Sequence, residues 1–194
     1  NVFLFNLVTG KKENIKIENK RKIASLLYFS TQKKLLISVE NDSYVYDLAS
    51  HELIKSFGFT NAKDIKQIKD SNKFIYAGFD RATVNEFVDQ KLKEVKILND
   101  HRAYYSFFDE KKEDIYISFV DEVISYDKMF QATALKYKNQ SITAKDICQT
   151  KDQTIWISTF TEGVLGFKNH KLVAKIGKAQ GLQSNVIQKI ESDG

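Results

Sequence analysis

The sequence predicts an all-β fold, a β-propeller segment of four-stranded antiparallel blades, and three observations predict it. First, short apolar strands recur at a fixed spacing. The landmark of one strand falls at Ile37, Tyr76, Ile117 and Ile157, in steps of 39, 41 and 40 residues. The aromatic residue that closes the next strand falls at Phe5, Tyr46, Phe87, Tyr126 and Phe167, in steps of 41, 41, 39 and 41. A period near 40 residues made of short strands is the signature of propeller blades. Second, the central strands of each unit, such as Leu35-Leu36-Ile37 and Ile155-Trp156-Ile157, are apolar on nearly every residue. Strands buried on both faces read this way, as they do when a blade is sandwiched between two others. Third, no 3.6-residue periodicity persists for three turns, while β-branched and aromatic residues dominate the apolar stretches.

In chain order, 1–20 reads as a partial blade. Residues 2–17 supply its last two strands, with Asn6 to Lys12 as the turn and Ile15 and Ile17 alternating with Lys16 and Glu18. Full blades follow over 22–57, 64–98, 102–137 and 145–177, and 184–194 opens a further one. The outermost strands alternate apolar and charged residues, as in Val95 and Ile97 among Lys93, Glu94 and Lys96. Such charge discourages edge-to-edge association. Ala62 to Asp70 and Ala144 to Asp152 are near-duplicates 82 residues apart, two periods. Proline is absent, so turns fall to Gly, Asn, Asp, Ser and Lys. The chain reads as a segment of a longer polypeptide.

Composition excludes several classes. Of the 194 residues 42% are hydrophobic, enough for a core, yet no apolar run reaches the roughly 18 residues of a membrane span. Asn1 to Leu7 lack the basic flank and cleavage site of a secretion signal. The single cysteine, Cys148, excludes an internal disulfide and reads as a small buried hydrophobe. The net charge of +5 is nearly all lysine spread over turns and outer strands, with arginine only at 21, 81 and 102. A nucleic-acid reader concentrates arginine with aromatics on one face, so no nucleic-acid partner is expected.

The segment Gly181-Leu182-Gln183-Ser184-Asn185-Val186-Ile187, with Ile190 and Asp193-Gly194 after it, has a recognisable form. So does Asp152, three residues before Ile155-Trp156-Ile157-Ser158-Thr159, with Gly163-Val164 beyond. Together they resemble the two-component-regulator propeller repeat, which builds the periplasmic sensor region of hybrid two-component histidine kinases of the Bacteroidetes type. Gln183 stands where that repeat has proline, and Ser158 where it usually has glycine. The match is good over 144–194 and degenerate over 22–137. The resemblance implies a periplasmic or cell-surface domain, reaching the membrane only through segments absent from this chain. It also implies a homodimer whose arrangement carries a signal.

No nucleophile motif, phosphate-binding glycine loop or metal-ligand spacing is present, so no cofactor and no metal are expected. His51 and His170 occupy equivalent turns three blades apart and read as solvated; His101 lies between blades. Trp156 could form a sugar-stacking platform, but its neighbours Ile155 and Ile157 favour the core. Propeller topology brings the turns between strands two and three, and the connections between blades, to one rim around the channel. That rim holds Glu40-Asn41-Asp42, Phe79-Asp80-Arg81, Val120-Asp121-Glu122, Phe160-Thr161-Glu162 and Asp100-His101-Arg102 with Tyr104. Arginine and carboxylate groups beside aromatics suit an oligosaccharide or other polar ligand, so the expected ligand-binding residues are Asp80, Arg81, His101, Arg102, Tyr104, Asp121, Glu122 and Glu162. The functional expectation is a non-catalytic, ligand-sensing propeller. The alternatives are a structural or protein-interaction propeller at the cell surface, and a glycosidase or lyase using carboxylates such as Asp80, Asp121 and Glu122.

Overall fold

The computed structural model describes residues 2–17, 22–56, 61–88 and 91–192. Phe57, expected to end a blade, and Asp193 and Gly194, expected in the last strand, lie outside the described residues.

A two-stranded hairpin, β1 (Val2–Phe5) and β2 (Lys12–Ile15), comes first. Four antiparallel sheets follow, each made from consecutive strands in chain order. The first blade is β3 (Ile23–Phe29), β4 (Lys34–Val39), β5 (Ser43–Asp47) and β6 (Leu53–Ser56). The second is β7 (Ala62–Gln67), β8 (Lys73–Gly78), β9 (Ala82–Val88) and β10 (Lys91–Asn99). The third is β11 (Ala103–Asp109), β12 (Asp114–Phe119), β13 (Val123–Tyr126) and β14 (Ala132–Tyr137), extended by the two-residue β15 (Gln140–Ser141). The fourth is β16 (Ala144–Gln149), β17 (Ile155–Thr159), β18 (Val164–Lys168) and β19 (Lys171–Ile176).

The blades stack face to face, and the alternation along each second strand explains how. Leu35, Ile37 and Val39 of β4 pack back onto Val2 and Ile15 of the hairpin, while Leu36 packs forward against Phe74 and Tyr76 of the second blade. In β12, Ile115, Ile117 and Phe119 face back to Ile75 and Ala77, and Tyr116 faces forward to Ile155 and Ile157. A strand with two buried faces must be apolar throughout, which is the pattern the sequence carries. The innermost strands β3, β7, β11 and β16 touch in turn, so they line the axis.

Facing positions in the ladder trade volume. Leu36 pairs with Val45 and Ile75 with Val84, but Tyr116 pairs with Ser125 and Trp156 with Gly166. A large ring over a small residue keeps the blade thickness constant. A Cβ on Gly166 would lie 2.9 Å from the Trp156 ring.

Polar links hold blade to blade. The Asp64 carboxylate accepts the Ser106 backbone N–H (2.9 Å) and hydroxyl (2.7 Å). The Ser118 hydroxyl donates to the Ala144 carbonyl (2.8 Å) and accepts from its N–H (3.2 Å). In place of proline, aspartates shape the turns: Asp47 accepts from Ala49 and Ser50 backbone N–H groups, and Asp127 from those of Met129 and Gln131.

Four expectations are corrected. Trp156 is half-buried rather than core, and Cys148, its partner across β16 and β17, is also half-exposed. Trp156 lies on the face of the fourth sheet opposite Ile155 and Ile157, which pack onto the third blade, and Cys148 opens onto a cleft it shares with Tyr105 and Phe107. Residues 182–192 form no strand. An inner strand takes its ladder bonds from the second strand of its own blade, and among the described residues this segment has none. It still follows an inner-strand path: Asn185 accepts from Gly163 N–H (2.9 Å), and Ile190 N–H donates to Asp146 (3.0 Å) as Ser106 does to Asp64. Finally, Val95 and Ile97 of the outer strand β10 are 42% and 41% exposed, although alternation predicts one covered face. The ladder slips between Glu94 and Lys96, which leaves Val95 unpaired and breaks the alternation there, whereas Leu135 on the outer strand β14 is fully buried.

Candidate functional site

The turns β4–β5, β8–β9, β12–β13 and β17–β18, with the connections from each blade to the next, form one rim, called here the upper rim. Each turn begins where a buried second strand ends, so its first residue emerges from the core. Phe79, Val120 and Phe160 occupy this position and are 49%, 53% and 48% exposed.

The expected site residues fall into two groups on this rim. In the first, the Arg81 guanidinium lies 3.3 Å from Asp80 and 3.4 Å from Glu94. Hydrogen bonding and charge from Asp80 raise its pKa above the ordinary value. The pair is exposed, so it contributes little stability. Arg102 stacks on Phe79, with its guanidinium carbon 3.8 Å from the ring centroid, and thereby reaches from the third blade to the second. In the second group, Glu162 pairs with Lys175, whose ammonium also meets the Tyr137 hydroxyl at 3.2 Å. Glu162 first and Tyr137 second raise the Lys175 pKa. Tyr104 and His101 are exposed at the start of the third blade, and Asp121 and Glu122 sit in its turn, Asp121 exposed and Glu122 half-buried. Among the described residues, no hydrogen bond or ion pair joins the two groups.

The structure adds a cleft of about 480 Å³ beside the inner strands. It is lined by Lys66, Tyr105, Phe107, Asp146, Cys148 and Glu191, among others. Lys66 lies 5.5 Å from the Tyr105 ring centroid. Burial first, then a hydrogen bond to Asp146, pushes the Tyr105 phenol well above its ordinary pKa, so it remains a donor at neutral pH. Burial and the Asp146 charge push the Cys148 thiol up, which opposes thiolate formation. This arrangement can bind and orient a polar molecule by stacking and hydrogen bonding.

Sequence reasoning did not select these cleft residues. The signal was in the duplicated stretches: Asp64 and Asp146 hold the same place in β7 and β16, Asp64 meeting Ser106 of β11 and Asp146 meeting Ile190 in the segment after the fourth blade. His51 and His170 sit on the opposite, lower rim, each near a carboxylate, with the His51 side chain still largely exposed. His51 Nδ1 is 2.9 Å from Glu13, and His170 Nε2 is 3.9 Å from Asp114. Among the described residues, no cluster of three His, Cys, Asp or Glu side chains is placed to hold a metal.

No family profile and no curated protein matches this sequence. Solved structures do match. One is the extracellular domain of BT4673 from B. thetaiotaomicron, assigned as a hybrid two-component system, with a TM-score of 0.70, 14% identity and coverage of 96% of this chain and 27% of that one. A second, from BT3049 of the same organism and likewise assigned, gives a TM-score of 0.65 at 12% identity, covering 98% of this chain and 26% of that one. A chain of the Mitotic Checkpoint Complex gives 0.71 at 10% identity, covering 90% and 57%. The chain thus spans about a quarter of the length of the two-component structures it resembles. Structures of such different kinds share one architecture, and the likeness carries the fold. The chain has the fold of a β-propeller segment, and among its structural neighbours are extracellular domains of the class that its sequence motifs resemble.

Proposed function

We propose that this chain is part of an extracytoplasmic, ligand-sensing propeller of a membrane-anchored two-component signalling protein, and that the propeller itself is non-catalytic. The observation that carries the reading is the likeness to extracellular two-component domains over 96% of the chain. The upper rim supports it, since it offers arginine, carboxylate and aromatic groups of the kind that recognise an oligosaccharide or other polar ligand. In this reading the domain is periplasmic or displayed at the surface and works as a homodimer. Ligand then biases the arrangement of the pair, with a coupling typically about 1–3 kcal/mol.

The test is thermal unfolding of the protein across a broad saccharide panel. A reproducible rise in melting temperature with one structural class is expected; no shift with any compound overturns the reading. An interaction propeller without a small ligand is the second reading, favoured by the exposed Phe79, Val120 and Phe160 at equivalent positions. It predicts a protein partner whose binding is lost when these three residues are changed together to serine.

A further inference from the structure

The start of every inner strand carries the same irregularity. In β3, β7, β11 and β16 the register slips by one residue, between Ile23 and Ser25, Ala62 and Asp64, Ala103 and Tyr105, and Ala144 and Asp146. The residues left out of the ladder are Ala24, Lys63, Tyr104 and Lys145. A bulge re-aims a side chain that the pleat would otherwise direct into a blade face, and a bulge that recurs marks a feature of the architecture. Here it places one side chain per blade at the upper mouth of the axis. These positions lie on inner strands that touch in turn, β3 on β7, β7 on β11 and β11 on β16. Ala24 and Lys63 line one cavity of about 370 Å³ between the first and second blades. Lys145 donates to Gln188 (2.9 Å), which stands one period further along the chain.

The mouth is cationic in a specific way. Among the described residues, Lys63, Arg102 and Lys145 have no carboxylate within ion-pair distance. Two of them rest on aromatic faces instead: Arg102 on Phe79 at 3.8 Å and Lys145 over Phe160 at 4.5 Å. A cation seated on a ring keeps its open side for an anion. Several acids of the rim are already engaged, Asp42 by Lys55, Asp80 by Arg81 and Glu162 by Lys175. Glu40 shares the cavity with two lysines, Lys22 and Lys63. Asp121 and Glu122 oppose an anion at the third blade's own turn. That leaves the lysines one blade to either side of Tyr104 as the charge contacts, with the exposed Tyr104 ring between them as a stacking surface.

We propose that this mouth binds an anionic ligand with a ring scaffold, specifically a carboxylated or sulfated saccharide, held by Lys63, Lys145 and Arg102 and stacked on Tyr104. This rests on the sensing reading and narrows its ligand class. The test is calorimetric titration with trigalacturonate, with its fully methyl-esterified form, and with a sulfated disaccharide. The first and second differ only in charge, and the third distinguishes sulfate from carboxylate. At least one anionic probe is expected to bind, with trigalacturonate, if it is that one, at least tenfold tighter than its ester. Lys63→Met, at an exposed position, and Lys63→Met with Lys145→Met are each expected to weaken it, the pair by tenfold or more. Lys93→Met with Lys96→Met, on the outer strand β10, should leave binding unchanged. Equal binding of acid and ester overturns the charge proposal and leaves the sensing reading standing. Equal losses in the outer-strand variant also overturn it, because binding would then reflect general positive charge. Binding of neither anionic probe overturns it as well, while the broad saccharide panel judges the sensing reading separately.

Discussion

Asp64 and Ser106 sit on neighbouring inner strands, and one carboxylate oxygen accepts both the backbone N–H (2.9 Å) and the hydroxyl (2.7 Å) of the serine. Ser106 is fully buried, so this donor pair has no access to water. The contact fastens the second blade to the third at the axis, where the sheets approach most closely.

Asp64→Ala removes the acceptor and leaves buried donors unpaired. The expected loss is about 1–3 kcal/mol, read from urea unfolding. Asp64→Asn retains an acceptor oxygen and should lose less. If alanine and asparagine are both neutral, the link carries no stability.

Gly166 lies flat beneath Trp156, the chain's only tryptophan, so fluorescence reports on this contact directly. Gly166→Ala is expected to displace the indole, break its hydrogen bond to the Thr150 hydroxyl (3.1 Å) and shift the emission maximum. Trp156→Ala should cost about 2 kcal/mol, below the roughly 3–5 kcal/mol of a fully buried ring, because the indole is half-exposed. An unchanged emission spectrum in Gly166→Ala would contradict the packing.

Asp47 gives a signed pH dependence. Its hydrogen bond from Lys34, then those from Ala49 and Ser50 N–H, lower its pKa from 3.8 to about 2. A depressed folded-state pKa contributes stability that is present above the unfolded value and lost as pH falls through the folded one. The urea midpoint should therefore drop between about pH 4 and pH 2 in the parent, and drop less steeply in Asp47→Asn. Parallel curves for the two proteins would show that Asp47 contributes nothing to acid lability.

Cys148 lines the inner cleft with its thiol pKa raised by burial and by Asp146. Its reaction with a disulfide reagent at pH 8 should be slower than that of free cysteine, and should keep rising with pH beyond the point where the free thiol levels off. A rate equal to or above that of free cysteine would mean that the thiol is activated.

The sequence by itself determined the repeat, the strand class and the order of the sheets. A forty-residue rhythm with doubly apolar second strands, as in β4 and β12, leaves few ways to bury both faces except stacking blade on blade. It also placed Arg81, Arg102 and Glu162 on one rim, since turn position follows from strand order. Tertiary structure decided the rest, because those facts depend on which faces find a neighbour. Trp156 and Tyr116 share a ladder position, yet only Tyr116 has a blade in front of it to complete its burial. The cleft around Tyr105 and Cys148 and the mouth of Lys63, Tyr104 and Lys145 arise from one-residue register slips and from approach between strands about forty residues apart. Spacing along a chain records neither, because a bulge is set by how the pleat accommodates the partner strand.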